Sequence, residues 1–481
     1  MDRAQPHKQV LISVSLASFV LTTVSENTYS QLSFLAFFAI LPIVFIMSKY
    51  KLNFTQSYFI AFLHILSLFV FIWYAYPFGF IEGANIFTAL FYGAFLHLSL
   101  AFFMALPFSI WIFYGNKILN KGLDIWRAIF LTFLYLTASA VAVFIFDLLM
   151  YSQWNSFYIL GSTYFLYGLS LADYILTAQM SYFMAEWGLV FLAVFINFLI
   201  YLSFKRNGPG IVLMIAILAF MSLFYFYRKS QLTPSFKVPV YLYKSNLDHE
   251  ELVSKSETEK GAILKTLYTL DKSMNNQFLF LSPESMSIQD KLNSDINHAI
   301  VFDSDDSRDL SSGYLFNQMR LYSKDIYFER NKNFLAPFGE YMPAFYMFFI
   351  NLFSSDKYNG SIYISKHDLA IKAVQVNKIF SVTPMLCSEL LRSPLSYNVL
   401  SKTPFVFAVS NSLAAFNGNK FFENKMLRNI TIMSVYYGSD VAFSSNMGSV
   451  GVIRPTGHRR IFPHSQMWSA NIYGIINTNH E

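Results

Sequence analysis

From Val10 to about Tyr227 the chain runs apolar again and again, each time long enough to cross a bilayer, whose hydrocarbon core takes about 20 helical residues. Seven such runs are expected, at 10–25, 31–48, 55–77, 85–113, 127–150, 186–204 and 209–227. Of the 481 residues 54% are hydrophobic and only 13% charged, against about 25% charged in an ordinary soluble domain. Much of the surface therefore does not face water, and 53 Phe with 31 Tyr suit a body embedded in a bilayer. The first run is short and follows Arg3 and Lys8, as a signal peptide's apolar segment would. Without a small-residue cleavage site after it, the run reads as an uncleaved anchor.

The basic residues set an expected topology. Arg3, Lys8, Lys49, Lys51, Lys117, Lys121, Arg127, Lys205 and Arg206 fall in alternate connections, while 26–30, 78–84 and 151–185 hold neither Lys nor Arg. The positive-inside rule then puts the N-terminus in the cytoplasm and everything after Tyr227 across the membrane. The formal charge of +6 is spread among these connections rather than gathered in a patch, so it does not point to nucleic acid. The long aromatic connection 151–185 suits a segment lying at the bilayer surface or dipping into it. His64, His97, Asp147 and Glu186 fall at or near membrane depth, and each stands alone without ligand spacing. They read as packed or interfacial polar residues.

The character changes at Arg228–Lys237 (RKSQLTPSFK), a polar linker, which divides a membrane domain, 1–228, from a second domain, 229–481. Beyond it no apolar run reaches about 20 residues. Strand-like runs recur at 238–243, 277–282, 298–303, 379–386, 404–410 and 449–453, with helix-like stretches at 249–270 and 419–436. The alternation predicts a layered α/β fold. The acidic stretch 303–312 (DSDDSRDLSS) reads as a solvated loop.

Three places in this half carry chemistry. In SPES, Pro283 ends a strand and sets Glu284 at the carboxyl end of a sheet, where α/β sites gather. In NKNFLAPFGEYMP, Lys332 precedes Glu340 in an aromatic, Pro- and Gly-rich loop, where an ammonium can stabilise an oxyanion and a carboxylate can hold it. In PMLCSELL, Cys387 stands where an apolar strand meets what reads as the first turn of a helix, whose amides favour thiolate. Cys387 is the single cysteine, so no internal disulfide forms. Taken singly, an exposed loop acid, a solvated lysine and an inert buried thiol are the commoner readings. No Cys/His cluster and no Gly-rich phosphate loop is present, so neither metal nor nucleotide cofactor is indicated.

Glu, Lys and Cys, each after a strand and in this order, resemble the nitrilase (carbon–nitrogen hydrolase) superfamily. The string PFGEYMP and the seven preceding spans narrow the resemblance to the apolipoprotein N-acyltransferases, and it covers nearly the whole chain. FYILGSTY at 157–164, GLVFLAVFINFLIYL at 188–202, VSNSLAAF at 409–416 and NMGSVGVIRPTG at 446–457 are similar to further segments of that family. The resemblance implies a multi-pass α-helical membrane domain followed by an αββα nitrilase-like sandwich. It implies Glu284 as general base, Lys332 as oxyanion-stabilising lysine, Cys387 as nucleophile, and Glu340 and Glu389 as supporting carboxylates. The implied partners are a phospholipid acyl donor, a lipoprotein acceptor and the bilayer of a bacterial inner membrane, with the catalytic domain on the periplasmic side.

Departures accompany the match. Ser388 stands where the family has an aromatic residue, Ser412 and Ala414 replace an Asp and a Trp, LYKSN at 242–246 replaces a QGN-type string, and the family's last span has no counterpart before SANIYGIINTNHE. A divergent member with a changed donor or acceptor is therefore expected. Two alternatives stay open: a nitrilase-like membrane protein of conjugative plasmids (TraB type), with a different substrate, and a scaffold without turnover.

Overall fold

The computed structural model describes residues 3–76, 86–151, 163, 165–206, 208–232, 234–247, 249–284, 286–288, 296–308, 315–334, 343–353, 370–377, 380–400, 405–413, 416, 418–462 and 467–475. Two compact units divide the chain: Met1–Tyr227 with Leu427–Ile432, and Arg228–Met426 with Met433–Glu481.

The first unit is helical. Seven of its helical stretches are long and apolar enough to cross a membrane: Lys8–Asn27, Ser30–Lys49, Phe54–Ala75, Ala89–Leu119, Ile125–Met150, Glu186–Lys205 and Pro209–Gln231. They coincide with the seven expected runs. Exposed Phe, Leu, Ile and Val side chains cover their outer faces, the arrangement that lipid rather than water favours. Polar side chains turn inward and cap broken backbone. Asn116 donates to the carbonyls of Met47 and Tyr50, both at 2.6 Å, and accepts from the Leu52 N–H at 3.1 Å, closing the turn between two helices.

His64 and His97 are packed polar residues, as expected. The His64 ring bonds Tyr135 Oη at 3.0 Å and Thr22 Oγ1 at 3.4 Å, and His97 Nδ1 accepts from Trp73 Nε1 at 2.8 Å. The described part of 151–185 is mixed, with Ile175, Phe183 and Met184 exposed. Phe165–Ala172 is buried, because the Glu26 carboxylate accepts from Gly168 N and from both the N–H and hydroxyl of Ser170 at 2.8–3.1 Å. A buried carboxylate persists only with such donors, and sequence distance hid the pairing. The segment 157–164 lies outside the described residues except Thr163.

The second unit is a mixed-sheet α/β fold. Its strands are β1 Pro234–Ser245, β2 Phe278–Leu281, β3 Ala299–Arg308, β4 Leu315–Tyr322, β5 Tyr327–Asn331, β6 Ala370–Lys372, β7 Val374–Gln375, β8 Ser381–Leu386, β9 Asn398–Leu400, β10 Phe405–Ser412, β11 Val441–Asn446, β12 Val450–Ile453, β13 Arg459–Phe462 and β14 Met467–Ile475. The main path runs β5-β4-β3-β2-β1-β11-β10-β8-β7, with β14 on β1 and β12–β13 on β11; β6 and β9 pair separately. β1, β2 and β3 are mutually parallel neighbours, as are β8, β10 and β11.

Alternation along the strands builds two cores. Leu279 and Leu281 face one way, with Val240, Ile300 and Phe302, onto Val382, Leu386, Val406 and Ala442 of the other strand set. Phe278 and Phe280 face the other way, with Val301, onto Ile263, Leu264 and Leu267 of the helix His249–Ser273. Period-two alternation with both faces buried is what a doubly covered sheet requires. The helix Lys420–Tyr437 begins at Asn419, whose side chain accepts from the Phe421 and Phe422 amides, an ordinary N-cap. The acidic stretch 303–312 is not a loop where it is described. Asp303 to Arg308 continue β3, paired antiparallel with β4, so tertiary pairing overrides the local composition.

Candidate active site

Each chemical residue sits just beyond a strand end. Leu281 closes β2, and Pro283, lacking an N–H for the ladder, turns the chain so that Glu284 follows it directly. Lys332 follows β5 by one residue, its N–H donating to the Asn317 carbonyl at 2.7 Å. Cys387 follows β8 directly. Glu284 and Lys332 are 5% and 1% exposed, and Cys387 is partly exposed.

Glu284 and Lys332 meet. The Lys332 ammonium donates to Glu284 Oε1 at 3.2 Å, and Asn317 Nδ2 donates to the same oxygen at 3.2 Å. Glu284 is thus a carboxylate that holds Lys332, while Glu340, the carboxylate expected from the sequence, lies outside the described residues. Asn317, on β4, carries no motif of its own; its backbone also receives Lys332, and only the sheet register reveals it.

Cys387 adopts φ +35°, the left-handed region that a residue with a side chain rarely occupies. Such strain at a turn is typical of functional positions. The helix expected after it is a five-residue 3₁₀ turn, Cys387–Leu391, because Glu389 takes the Leu386 N–H and the chain leaves helical geometry at Arg392. Too short for a helix dipole, that turn offers no helical N-terminus to the thiol. The Cys387 S–H faces the Ser412 carbonyl, with Sγ at 3.8 Å from the oxygen. Ser412, noted as a departure from the family pattern, thus lines the cysteine with its backbone.

The Cys387 turn is stapled to the Lys332 segment. Glu389, fully buried, accepts both terminal nitrogens of Arg330 at 2.9 and 3.0 Å and the Asn333 N–H at 2.8 Å. Ser388 donates to the Phe334 carbonyl at 2.6 Å. Every residue from Arg330 to Phe334 except Asn331 therefore bonds either to the cysteine turn or, through Lys332, to Glu284. Arg330 escaped the sequence reading, although the available signal was its place two residues before Lys332, on the same side of an extended chain.

One further carboxylate sits behind Glu284. Asp303 of β3 is fully buried and accepts from Ser282 Oγ and from the Ile288 N–H, both at 2.8 Å. Burial pushes its carboxyl up to about 7, against the downward pull of those donors.

No family model and no curated protein matches the chain. Solved structures do. A carbon–nitrogen hydrolase superfamily protein of Xanthomonas campestris, carrying an arsenic adduct in its active site, is similar over 49% of this chain and 91% of its own, at 13% identity and a TM-score of 0.32. Nit3 of Saccharomyces cerevisiae, a nitrilase superfamily member, is similar over 50% and 91%, at 11% identity and 0.35. An amidase from Nesterenkonia sp. is similar over 51% and 92%, at 8% identity and 0.30.

Proposed function

We propose that this chain is a membrane acyltransferase that carries its acyl group as a thioester on Cys387. One observation carries the reading: a buried Glu284–Lys332 pair at 3.2 Å whose lysine segment is hydrogen-bonded to the turn holding the chain's single thiol. Glu284 takes the Cys387 proton and the sulfur attacks the carbonyl carbon of a phospholipid acyl ester. The C–S bond forms, the C–O bond breaks, and the lysophospholipid oxygen leaves with the proton from Glu284. Lys332 offers its ammonium to the oxyanion of the tetrahedral intermediate. In the second half, the N-terminal amine of a lipoprotein attacks the thioester, Glu284 removes the amine proton, the amide forms and Cys387 regains its thiol. The membrane unit supports this substrate pair, since both are lipids. The one-sided Lys and Arg pattern supports a periplasmic position for the second unit in an inner membrane.

Incubating membrane-embedded protein with phospholipid labelled in its acyl chain tests the proposal. The expected result is a hydroxylamine-sensitive adduct, absent in Cys387→Ala. A wild-type thiol that alkylates readily yet takes acyl from no phospholipid ends the phospholipid assignment and favours the conjugative-plasmid reading with another acyl or amide substrate.

A further inference from the structure

Glu284 lies between two points that one side chain fixes. Asp303 Oδ1 accepts the Ser282 hydroxyl at 2.8 Å and Oδ2 accepts the Ile288 N–H at 2.8 Å, two residues before Glu284 and four after it. Ser282 is pinned on its other sides as well: its N–H donates to the Phe302 carbonyl at 3.0 Å, and its own carbonyl accepts the Ser410 hydroxyl at 2.9 Å. Ser410 is paired in register with Leu386, the residue before Cys387. The same set of bonds therefore runs from the base side of the site to the nucleophile side. Asp303 interrupts a strand that otherwise buries Ala299, Ile300, Val301 and Phe302. A buried carboxylate there is unfavourable unless its donors are fixed, and an apolar side chain would fill the space with less penalty. What the carboxylate supplies is direction: one rigid acceptor pair bracketing a residue that stands beyond the last ladder bond, from the Ser282 N–H to the Phe302 carbonyl. A reacting group must be held within about 0.5 Å of its working position, and hydrophobic packing alone does not aim a carboxylate.

We propose that Asp303 is a positioning residue that fixes Ser282 and Ile288 and thereby aims the Glu284 carboxylate at the Cys387 thiol. The proposal rests on the acyl-transfer reading for the roles of Glu284 and Cys387, and its test does not require any acyl substrate. Cys387 is the sole cysteine, so alkylation of the full-length protein by iodoacetamide at pH 7 reports one atom. Glu284→Gln sets the rate without the base. Asp303→Ala is expected to slow alkylation at least tenfold, to the Glu284→Gln level, and the double variant is expected to be no slower than either. Asp303→Asn, whose amide oxygen still accepts the Ile288 N–H, is expected within threefold of wild type. A purely structural loosening moves the rate the other way, because a less packed thiol alkylates faster. Wild-type alkylation in Asp303→Ala, with Glu284→Gln slow, overturns this proposal and leaves the base assignment standing. Wild-type alkylation in Glu284→Gln overturns the base assignment and the proposal together. Should Asp303→Ala fail to fold, Ser282→Ala is expected to be three- to fivefold slow, and a wild-type rate there overturns the proposal.

Discussion

Arg330 grips both carboxylate oxygens of Glu389, at 2.9 and 3.0 Å, while Glu389 itself is fully buried two residues beyond Cys387. The fork fixes the turn that presents the cysteine. Glu389 also serves the Leu386 and Asn333 amides, so the two partners are not equivalent. Removing one member of a buried pair typically costs about 3–5 kcal/mol. Glu389→Ala is expected at or above the top of that range and Arg330→Ala below it, read as denaturant midpoints of purified protein. Equal losses would mean that the two amide bonds to Glu389 are worth no more than the bond Arg330 makes to the Pro384 carbonyl.

Lys332 donates to Glu284 in the resting site, and the proposed chemistry hands it an oxyanion. Loss of an oxyanion donor typically costs about 2.7–4 kcal/mol of barrier. Lys332→Ala is therefore expected to slow formation of the Cys387 adduct by ~10²–10³-fold, with a much smaller change in the phospholipid concentration giving half-maximal rate. An effect confined to that concentration would make Lys332 a substrate-binding residue.

Asp303 makes stability depend on pH. Burial first, with repulsion from Asp305 adding to it, raises its carboxyl from 3.8 to about 7, while the Ile288 and Ser304 amides and the Ser282 hydroxyl pull it down. Between about pH 4 and pH 7 the folded chain holds a proton that the unfolded chain releases, so the contribution is fully present below pH 4 and is lost as pH rises through 7. Wild type is expected to melt progressively lower than Asp303→Asn as pH is raised from 5 to 7.5. A gap between the two that widens in the opposite direction refutes the assignment.

The proposed orientation places Ser230 and Leu119 on opposite sides of the membrane. A reporter active only outside the cytoplasm should work when fused after Ser230 and fail when fused after Leu119. The reverse result would put the second unit in the cytoplasm and remove the proposed access to a lipoprotein acceptor.

The sequence alone determined what depends on local pattern. Seven apolar runs became seven spanning-length helices, because each must satisfy its backbone internally in lipid. The strands before Glu284 and Cys387 were legible because alternation and a Pro at a strand end are local signals. Tertiary structure alone decided what depends on residues far apart in the chain. Asp303–Arg308 looked like a solvated loop and became strand once β4 paired with it. The turn after Cys387 looked helical and closed as 3₁₀, with Glu389 turned back onto the Leu386 amide and held there by Arg330 and Asn333, more than fifty residues upstream. The meeting of Lys332 with Glu284, 48 residues before it, is likewise tertiary. Register and side-chain pairing across a sheet are set by the whole packed core, and no window of neighbouring residues encodes them.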